Sequence, residues 1–179
     1  MNMKYIRRAT MALLAAFSMW SYTAKAQQAT EMDYDAQYAT ELVKPGTKAP
    51  DFELNSPDGK KVSLSQFKGK YVVLDFWASW CPDCRKDAPN IVAMYNKYKD
   101  KGVAFVGVSF DTDVAQWKAA IEKYGMKYAH VSELKKMREA NISKAYGVKW
   151  IPSMVLVDPQ GKVVMGTVLS TKLEKELEK

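Results

Sequence analysis

Two nearly continuous apolar runs stand out in the middle of the chain. The first covers residues 71–77 (YVVLDFW) and the second covers residues 103–109 (VAFVGVS). Runs of this kind are typical of strands that are buried on both faces of a sheet covered by helices. Between them, residues from Pro82 to about Lys99 carry apolar side chains at roughly helical spacing, and proline suits a first helical turn. The order strand, helix, strand predicts two parallel strands joined by a crossover.

Turn residues predict two hairpins outside this central unit. Asp158-Pro159-Gln160-Gly161 separates two apolar runs, residues 154–157 and 162–165, and predicts an antiparallel pair near the carboxyl end. Ser56-Pro57-Asp58-Gly59 predicts another hairpin ahead of the first buried strand.

Helical periodicity marks three further segments. Residues 114–124 and 132–146 are predicted to be helices, and residues 170–179 alternate Lys and Glu around two leucines, which favours a short amphipathic helix. Residues 27–45 show little periodicity and are predicted to be a leader or linker. The chain of 179 residues thus suits one α/β domain over residues 46–179, with a mixed sheet flanked by helices.

The first 26 residues have the pattern of a secretory signal peptide. Basic residues open the chain, an apolar stretch covers residues 9–20, and Ala24-Lys25-Ala26 fits a small-x-small cleavage site. The alternative is an N-terminal core helix, but residues 9–20 lack polar positions at helical spacing. No cysteine lies near this region to carry a lipid. We therefore predict a signal peptide over residues 1–26 and a soluble protein in the periplasm or another extracytoplasmic compartment.

Export changes the meaning of the net charge of +7. Cleavage after residue 26 removes four basic residues and no acidic ones, and leaves 23 basic against 20 acidic residues. The small basic cluster Lys135, Lys136 and Arg138 is flanked by glutamates and lacks interleaved aromatic residues. We expect no nucleic-acid partner.

The chain has only two cysteines, Cys81 and Cys84. A disulfide that closes so short a loop removes little entropy from the unfolded chain, so a stapling role is a poor explanation. Zinc needs about four ligands, and the chain offers these two thiols and a single histidine, His130. What remains is redox chemistry, in which one thiol attacks a partner's disulfide and the other resolves the mixed disulfide.

The predicted elements place Cys81 at the start of a helix, beyond the carboxyl end of a buried strand. Ligand chemistry in open α/β sheets gathers at that end of the strands. Unpaired N–H groups and the positive end of the helix dipole favour a thiolate there. Cys81 is therefore predicted to be the nucleophile, and Cys84, one turn further into the helix and more shielded, the resolving thiol.

Two longer segments resemble a known family. The stretches LDFWASWCPDCRKDAP and GVKWIPSMVLVDPQGKVV are similar to thioredoxin-like proteins, especially bacterial cell-envelope thiol-disulfide oxidoreductases of the TlpA/ResA type, within the AhpC/TSA-like redoxins. The resemblance runs from about Gly46 to Val168 and includes a central insertion, roughly residues 111–147. It implies a thioredoxin-like fold with an N-terminal hairpin. Peroxiredoxins carry a threonine-x-x-cysteine segment, which this chain lacks, so peroxidase activity is disfavoured.

The resemblance also implies roles for individual residues. Cys81 corresponds to the attacking cysteine and Cys84 to the resolving one. Trp80 borders the dithiol, with simple surface packing as the alternative, and Pro82 adjoins it. Pro152 corresponds to the proline whose preceding peptide bond is cis in this fold. The backbone of Ile151 is then free to pair with an extended substrate segment.

Two carboxylates are further candidates for the catalytic site. Asp75 interrupts a buried strand, where desolvation raises the pKa of a carboxyl group. It corresponds to the buried aspartate that moves protons to and from the resolving thiol in thioredoxins; the alternative is a water pocket without a proton-transfer role. Asp87 lies three residues after Cys84, where ResA-type relatives carry an acidic residue, and the alternative is an ordinary helix-surface charge.

The dipeptide between the cysteines departs from the family pattern. Relatives most often end this dipeptide with proline, whereas this chain has Pro82-Asp83. A nearby negative charge raises a thiol's pKa, and a destabilised thiolate favours a reductant. Asp83 therefore favours the reducing direction.

Together with the resemblance, this leads us to expect a protein-disulfide reductase without a cofactor or metal that acts on envelope proteins. The absence of a long exposed strand or heptad predicts a monomer. Its electrons are expected to come from a membrane or soluble thiol reductase. A disulfide donor or isomerase, and a redox-inert binding module, are the alternatives.

Overall fold

A seven-stranded mixed sheet runs through residues 33–179, the part of the chain that the computed structural model describes. The strands are β1 (Glu53–Asn55), β2 (Lys61–Ser63), β3 (Tyr71–Trp77), β4 (Val103–Ser109), β5 (Ala129–Ser132), β6 (Ser153–Val157) and β7 (Val163–Thr167). The helices are α1 (Tyr34–Tyr38), α2 (Pro82–Tyr98), α3 (Val114–Tyr124), α4 (Asn141–Tyr146) and α5 (Ser170–Leu177), with 3-10 turns at Leu64–Phe67 and Lys99–Lys101.

The centre of the sheet is built from the two apolar runs. The strands lie in the order β2-β1-β5-β4-β3-β6-β7. β3 pairs in parallel with β4 along its whole length and antiparallel with β6. Every residue of β3 after Tyr71 is buried. Both predicted central strands are confirmed with their predicted bounds, because burial on both faces removes any polar alternation from their sequences.

The two predicted hairpins are also confirmed at the edges of the sheet. β1 pairs antiparallel with β2, and β6 pairs antiparallel with β7. In the second turn the Asp158 carboxylate accepts hydrogen bonds from the backbone N–H groups of Gln160 and Lys162. Gly161 there has φ +82°, a left-handed conformation that glycine adopts without strain. No helix within residues 33–179 is long and apolar enough to cross a membrane.

The predicted helix over residues 132–146 is wrong in its first half. Ser132 ends β5, which pairs in parallel with β4, and only Asn141–Tyr146 form the helix α4. The Ser132 hydroxyl donates to the carbonyl oxygen of Ser109 on the neighbouring strand, at 2.8 Å. Leu134 then has φ +53°, which interrupts any helix. Strand pairing accounts for Ser132, and the loop and turn that follow over residues 133–140 delay the start of the helix to Asn141.

Residues 34–45 belong to the segment 27–45 that the sequence predicts to be a leader or linker. α1 lies in this segment, and Leu42 is buried against the domain. The Asp35 carboxylate accepts hydrogen bonds from the Thr167 hydroxyl at 2.9 Å, the Val168 N–H at 2.7 Å and Lys172 at 2.8 Å. These tertiary contacts order a segment that has no strong pattern of its own. The predicted signal peptide lies outside the described residues.

Candidate active site

The two cysteines form a disulfide at the start of α2. Cys81 is the N-cap residue, and the Cys84 N–H donates to its Sγ atom at 3.1 Å. The first N–H groups of a helix have no partner within the helix, and they stabilise negative charge on a nearby atom. This end of α2 therefore favours a thiolate at Cys81 when the disulfide is reduced.

Burial does not separate the two thiols as we expected. Cys81 is 4% exposed and Cys84 is 3% exposed. Cys81 is covered because its Sγ atom lies only 3.6 Å from the carbonyl oxygen of Ile151, on a loop 70 residues further along the chain. Since both sulfur atoms are almost equally shielded, the position of Cys81 at the helix terminus is what distinguishes it.

The loop opposite the disulfide carries the predicted proline. The Ile151-Pro152 peptide bond is cis, as the resemblance implied, and both residues are buried. Trp80 and Pro82, the chain neighbours of Cys81, are exposed to solvent. The fold thus brings the dithiol and the Ile151-Pro152 loop together at the start of α2.

Asp75 lies in the middle of the sheet, behind this surface. It pairs with Gly107 on β4 and Met154 on β6, and it is 2% exposed. Burial, with a further contribution from the negative charge of Asp87, raises the pKa of Asp75 to about 7. The Tyr128 hydroxyl donates to its Oδ2 atom at 3.2 Å, which acts in the opposite direction. Asp75 can therefore change its protonation state near neutral pH.

Asp87 occupies a half-buried position on α2, three residues after Cys84. Its carboxylate accepts hydrogen bonds from Ser170 Oγ at 2.5 Å and from Asn90 Nδ2 at 2.9 Å. These bonds hold Asp87 between α2 and the start of α5, so it is more constrained than a free surface charge. Its effect on the pKa of Asp75 links it electrostatically to the interior of the site.

Asp83, between the cysteines, is exposed and has a cationic neighbour. Lys86 Nζ lies 3.8 Å from its Oδ1 atom. An exposed ion pair of this kind is weak, but it offsets part of the negative charge that Asp83 brings to the dithiol.

His130 is a buried histidine beneath the site. Its ring stacks on Tyr128 with 4.6 Å between centroids, and Nε2 lies 3.3 Å from the carbonyl oxygen of Met126. Burial lowers the pKa of His130 to about 4, so the ring is neutral at physiological pH. Within residues 33–179, no three side chains of His, Cys, Asp or Glu come together in a way that could hold a metal ion.

One buried carboxylate was not singled out from the sequence. Asp111 follows β4 and accepts hydrogen bonds from the Ser79 N–H at 3.0 Å, the Ser79 hydroxyl at 2.6 Å and the Ser109 hydroxyl at 2.7 Å. Ser79 lies two residues before Cys81, so Asp111 fixes the loop that leads into the disulfide. An acidic residue directly after a buried strand was the available signal.

Replacing Asp111 with alanine is expected to destabilise the protein by about 2–4 kcal/mol, because two hydroxyl groups and a backbone N–H lose a charged acceptor. The loop before Cys81 also loses its anchor, so disulfide exchange should slow. Urea unfolding and exchange kinetics measure the two effects. The matched control is Asp113→Ala, which removes an exposed helix cap and should cost only about 1 kcal/mol. Equal behaviour of the two variants would contradict the anchoring role.

Comparison with known proteins identifies the family of this chain. The sequence profile of the AhpC/TSA family matches residues 45–165. The chain belongs to the AhpC/TSA family. It is 37% identical to the thiol-disulfide oxidoreductase ResA of Bacillus thuringiensis subsp. konkukian over 75% of this chain and 77% of that protein. It is 34% identical to ResA of Bacillus subtilis over 73% of this chain and 72% of that protein.

Solved structures agree with this family membership. The thioredoxin domain of a thiol-disulfide oxidoreductase from Bacteroides vulgatus is similar with a TM-score of 0.69 and 37% identity, over 76% of this chain and 96% of that one. The predicted thioredoxin-like fold is confirmed. As a family member with the Cys81–Cys84 pair intact, the chain is a thiol-disulfide oxidoreductase whose redox-active group is this disulfide.

Proposed function

We propose that the protein reduces disulfides in other extracytoplasmic proteins, with Cys81 as the attacking thiol and Cys84 as the resolving thiol. Asp83, an exposed negative charge between the cysteines, supports the reducing direction because it destabilises the thiolate. The place of Cys81 Sγ supports the assignment of the two thiols, since it accepts the Cys84 N–H at the start of α2 and lies beside the cis Ile151-Pro152 bond. A sulfur atom held there is a stabilised thiolate in the reduced protein, next to a loop suited to a substrate chain.

The reaction balances as two successive exchanges. The Cys81 thiolate attacks one sulfur of the client disulfide, and the other client sulfur leaves and takes up a proton. The Cys84 thiolate then attacks Cys81 Sγ, the client's second thiol leaves, and the Cys81–Cys84 disulfide forms. Two electrons have passed to the client. Return to the dithiol requires electrons from a membrane or soluble thiol reductase.

Asp75 is the proposed proton carrier for the second exchange. Cys84 must lose a proton before it attacks, and a carboxylate with a pKa of about 7 can accept that proton and later release it at neutral pH. Asp87 supports this role by raising the pKa of Asp75 through its charge. Both carboxylates are thus assigned to the control of protonation, not to attack on the substrate.

The substrate segment is proposed to lie against Ile151 and Pro152, with Trp80 and Pro82 on its other side. An extended client chain can pair with the backbone of Ile151 as in strand addition. The exposure of Trp80 and Pro82 beside an otherwise buried disulfide supports their contact with the client.

Residues 1–26 are proposed to be a signal peptide that is removed on export. The two-cysteine chemistry supports this location, since disulfides that need reduction or exchange persist in oxidising extracytoplasmic compartments. Mass spectrometry of the protein from its native source should find a mature chain that begins at Gln27. An intact N-terminus would contradict export by cleavage.

A disulfide donor or isomerase is the second candidate for the same site. The Cys84 N–H that donates to Cys81 Sγ stabilises a thiolate in the reduced form, and this makes a dithiol pair more oxidising. Asp83 acts in the opposite direction, because its negative charge destabilises the thiolate. The direction of electron flow depends on which of these two influences is larger.

The reduction potential of the Cys81–Cys84 couple decides between these candidates. The full-length protein is equilibrated with graded dithiothreitol or glutathione buffers, and free thiols are counted. A potential at or below about −250 mV supports the reductase, whereas one near about −120 to −180 mV matches known oxidants and isomerases and would refute it. Asp83→Asn is expected to make the couple more oxidising, and Asp113→Ala should leave it unchanged.

A further inference from the structure

A groove of about 540 Å³ starts beside the dithiol. Asp83, between the cysteines, and Pro152, on the opposite loop, both line it. From there the groove runs between α2 on one side and α1 with Trp150 on the other, and Leu169 and Ser170 also line it. The groove therefore lies next to the place where a client cysteine meets Cys81.

One wall of the groove is aromatic. Tyr34 stacks on Tyr38 with 6.2 Å between ring centroids, and Tyr38 stacks on Trp150 with 4.4 Å. A cluster of exposed large apolar side chains often marks a binding site. Tyr34 and Trp150 are both substantially exposed, and they lie in one continuous ladder that faces the groove.

The aromatic wall is fixed to the domain by the N-terminal segment. Asp35, between the two tyrosines, binds the Thr167 hydroxyl, the Val168 N–H and Lys172. Further along, Leu42 packs so closely over Gly166 that a Cβ atom there would lie 3.2 Å from its side chain. The rings of α1 are thus held in place before any client arrives, which lowers the entropic cost of binding.

The opposite wall is polar and carries a slight negative charge. α2 contributes Asp83, Lys86, Asp87 and Asn90. Lys86 is paired with Asp83, while Asp87 is bonded to the neutral groups of Asn90 and Ser170. Asp87 therefore has no cationic partner among these contacts. Its negative charge makes the groove favour a neutral or basic occupant over an acidic one.

We propose that this groove is a side-chain subsite that selects client proteins by an apolar, preferably aromatic, residue a few positions from the cysteine that Cys81 attacks. The occupant is an extended, neutral or basic segment of the client, because Asp83 and Pro152, which flank the dithiol, line the groove at the end nearest to the client cysteine. Stacking on the ladder of Tyr34, Tyr38 and Trp150 supplies the preference. This inference rests on the proposed function, but it does not depend on the direction of electron flow.

The test compares two synthetic peptides with an intramolecular disulfide that differ only in one flanking residue, tryptophan or alanine. The full-length protein is reduced beforehand, and the rate of exchange with each peptide is measured, together with the rate for a small aromatic disulfide, Ellman's reagent. The tryptophan peptide is expected to react about tenfold faster at low concentration, because it buries its ring on the ladder. The difference should appear in KM more than in kcat, since the subsite does not touch the reacting sulfur atoms.

Tyr34→Ala and Trp150→Ala are expected to reduce the ratio of the two peptide rates to near one. The matched control is Tyr71→Ala, because Tyr71 is 44% exposed, Tyr34 is 41% exposed, and Tyr71 lies at the start of β3 outside the groove. This control should keep the ratio of the unaltered protein. Asp35→Ala tests the positioning of α1, and it should lower the peptide ratio as Tyr34→Ala does, with partial recovery in Asp35→Glu.

The outcomes separate the subsite from the proposed function. Equal rates for both peptides, together with a normal reaction with Ellman's reagent, would overturn the subsite and leave the dithiol chemistry intact. Failure of all three substrates would overturn the proposed function and the subsite with it. A change in the ratio in Tyr71→Ala as large as that in Tyr34→Ala would also overturn the subsite, because the effect would then not belong to the groove.

Discussion

Replacing Cys84 with serine is expected to trap a covalent complex between this protein and a disulfide-containing client. The Cys81 thiolate still attacks, but no second thiol remains to release the client, so the mixed disulfide accumulates. The reduced variant is mixed with insulin, whose disulfides are accessible, and the products are separated on a non-reducing gel. A one-to-one complex should form with Cys84→Ser and should be almost absent with Cys81→Ser. Dithiothreitol should separate the complex by reducing its mixed disulfide.

The contrast between the two serine variants is the sharpest test of the assigned roles. Cys81 and Cys84 are almost equally buried, so access alone gives neither an advantage. The Cys84 N–H and the end of α2 favour the thiolate at Cys81. If Cys81→Ser trapped the client as well as Cys84→Ser, the attacking and resolving roles would not be separated by the helix terminus.

Replacing Asp75 with asparagine is expected to stabilise the oxidised protein above neutral pH by roughly 4 kcal/mol. The pKa of Asp75 is about 7 in the folded protein, against an ordinary value of 3.8. Between these pH values Asp75 holds about one proton more in the folded state than in the unfolded state, so its contribution to stability falls as the pH rises, by about 1.4 kcal/mol per unit. The full cost of the buried charge is present above pH 7. Asparagine carries no charge at this position, so the variant does not bear the free-energy cost of burying a carboxylate.

His130 has the opposite pH dependence and must be separated from Asp75. Burial lowers the pKa of His130 to about 4 from an ordinary 6.5, so stability is lost as the pH falls through this range. Between about pH 4 and 6.5 the two slopes cancel in the unaltered protein. In Asp75→Asn, stability should therefore rise with pH over this window and then level off. Urea unfolding at intervals from pH 4 to 8 measures both proteins.

Tyr128→Phe provides the matched variant for this prediction. In the unaltered protein the Tyr128 hydroxyl donates to Asp75 Oδ2 and holds the pKa of that carboxyl below the value that burial alone would give. Loss of this hydrogen bond should raise the pKa of Asp75 further. The fall of stability with rising pH should then continue to a higher pH than in the unaltered protein. In exchange kinetics, Asp75→Asn should slow the resolving step and alter its pH profile. Identical pH profiles for Asp75→Asn and the unaltered protein would rule out proton transfer by Asp75.

Much of the fold followed from local patterns. Unbroken apolar runs predicted β3 and β4 with their bounds, and turn residues predicted both hairpins. The segment from Ser132 to Ala140 was harder, because Ser132 pairs with β4, about twenty residues earlier, and the residues after it form a loop and turn despite their helical periodicity. The N-terminal segment was harder still, since the bonds of Asp35 are to residues more than 130 positions away.

Local patterns in the chain were enough to predict dithiol chemistry. The Cys81/Cys84 spacing and the buried strand before it are local features, and they predict a dithiol at a helix terminus. The cis proline opposite it, Pro152, is implied by the resemblance to thioredoxin-like proteins. The groups that surround this dithiol could be identified only from the folded chain. Asp111 holds its loop, Tyr128 and Asp87 act on Asp75, and α1 builds a wall of the neighbouring groove. These contacts join residues that are far apart in the chain, and no local pattern encodes which of them will meet.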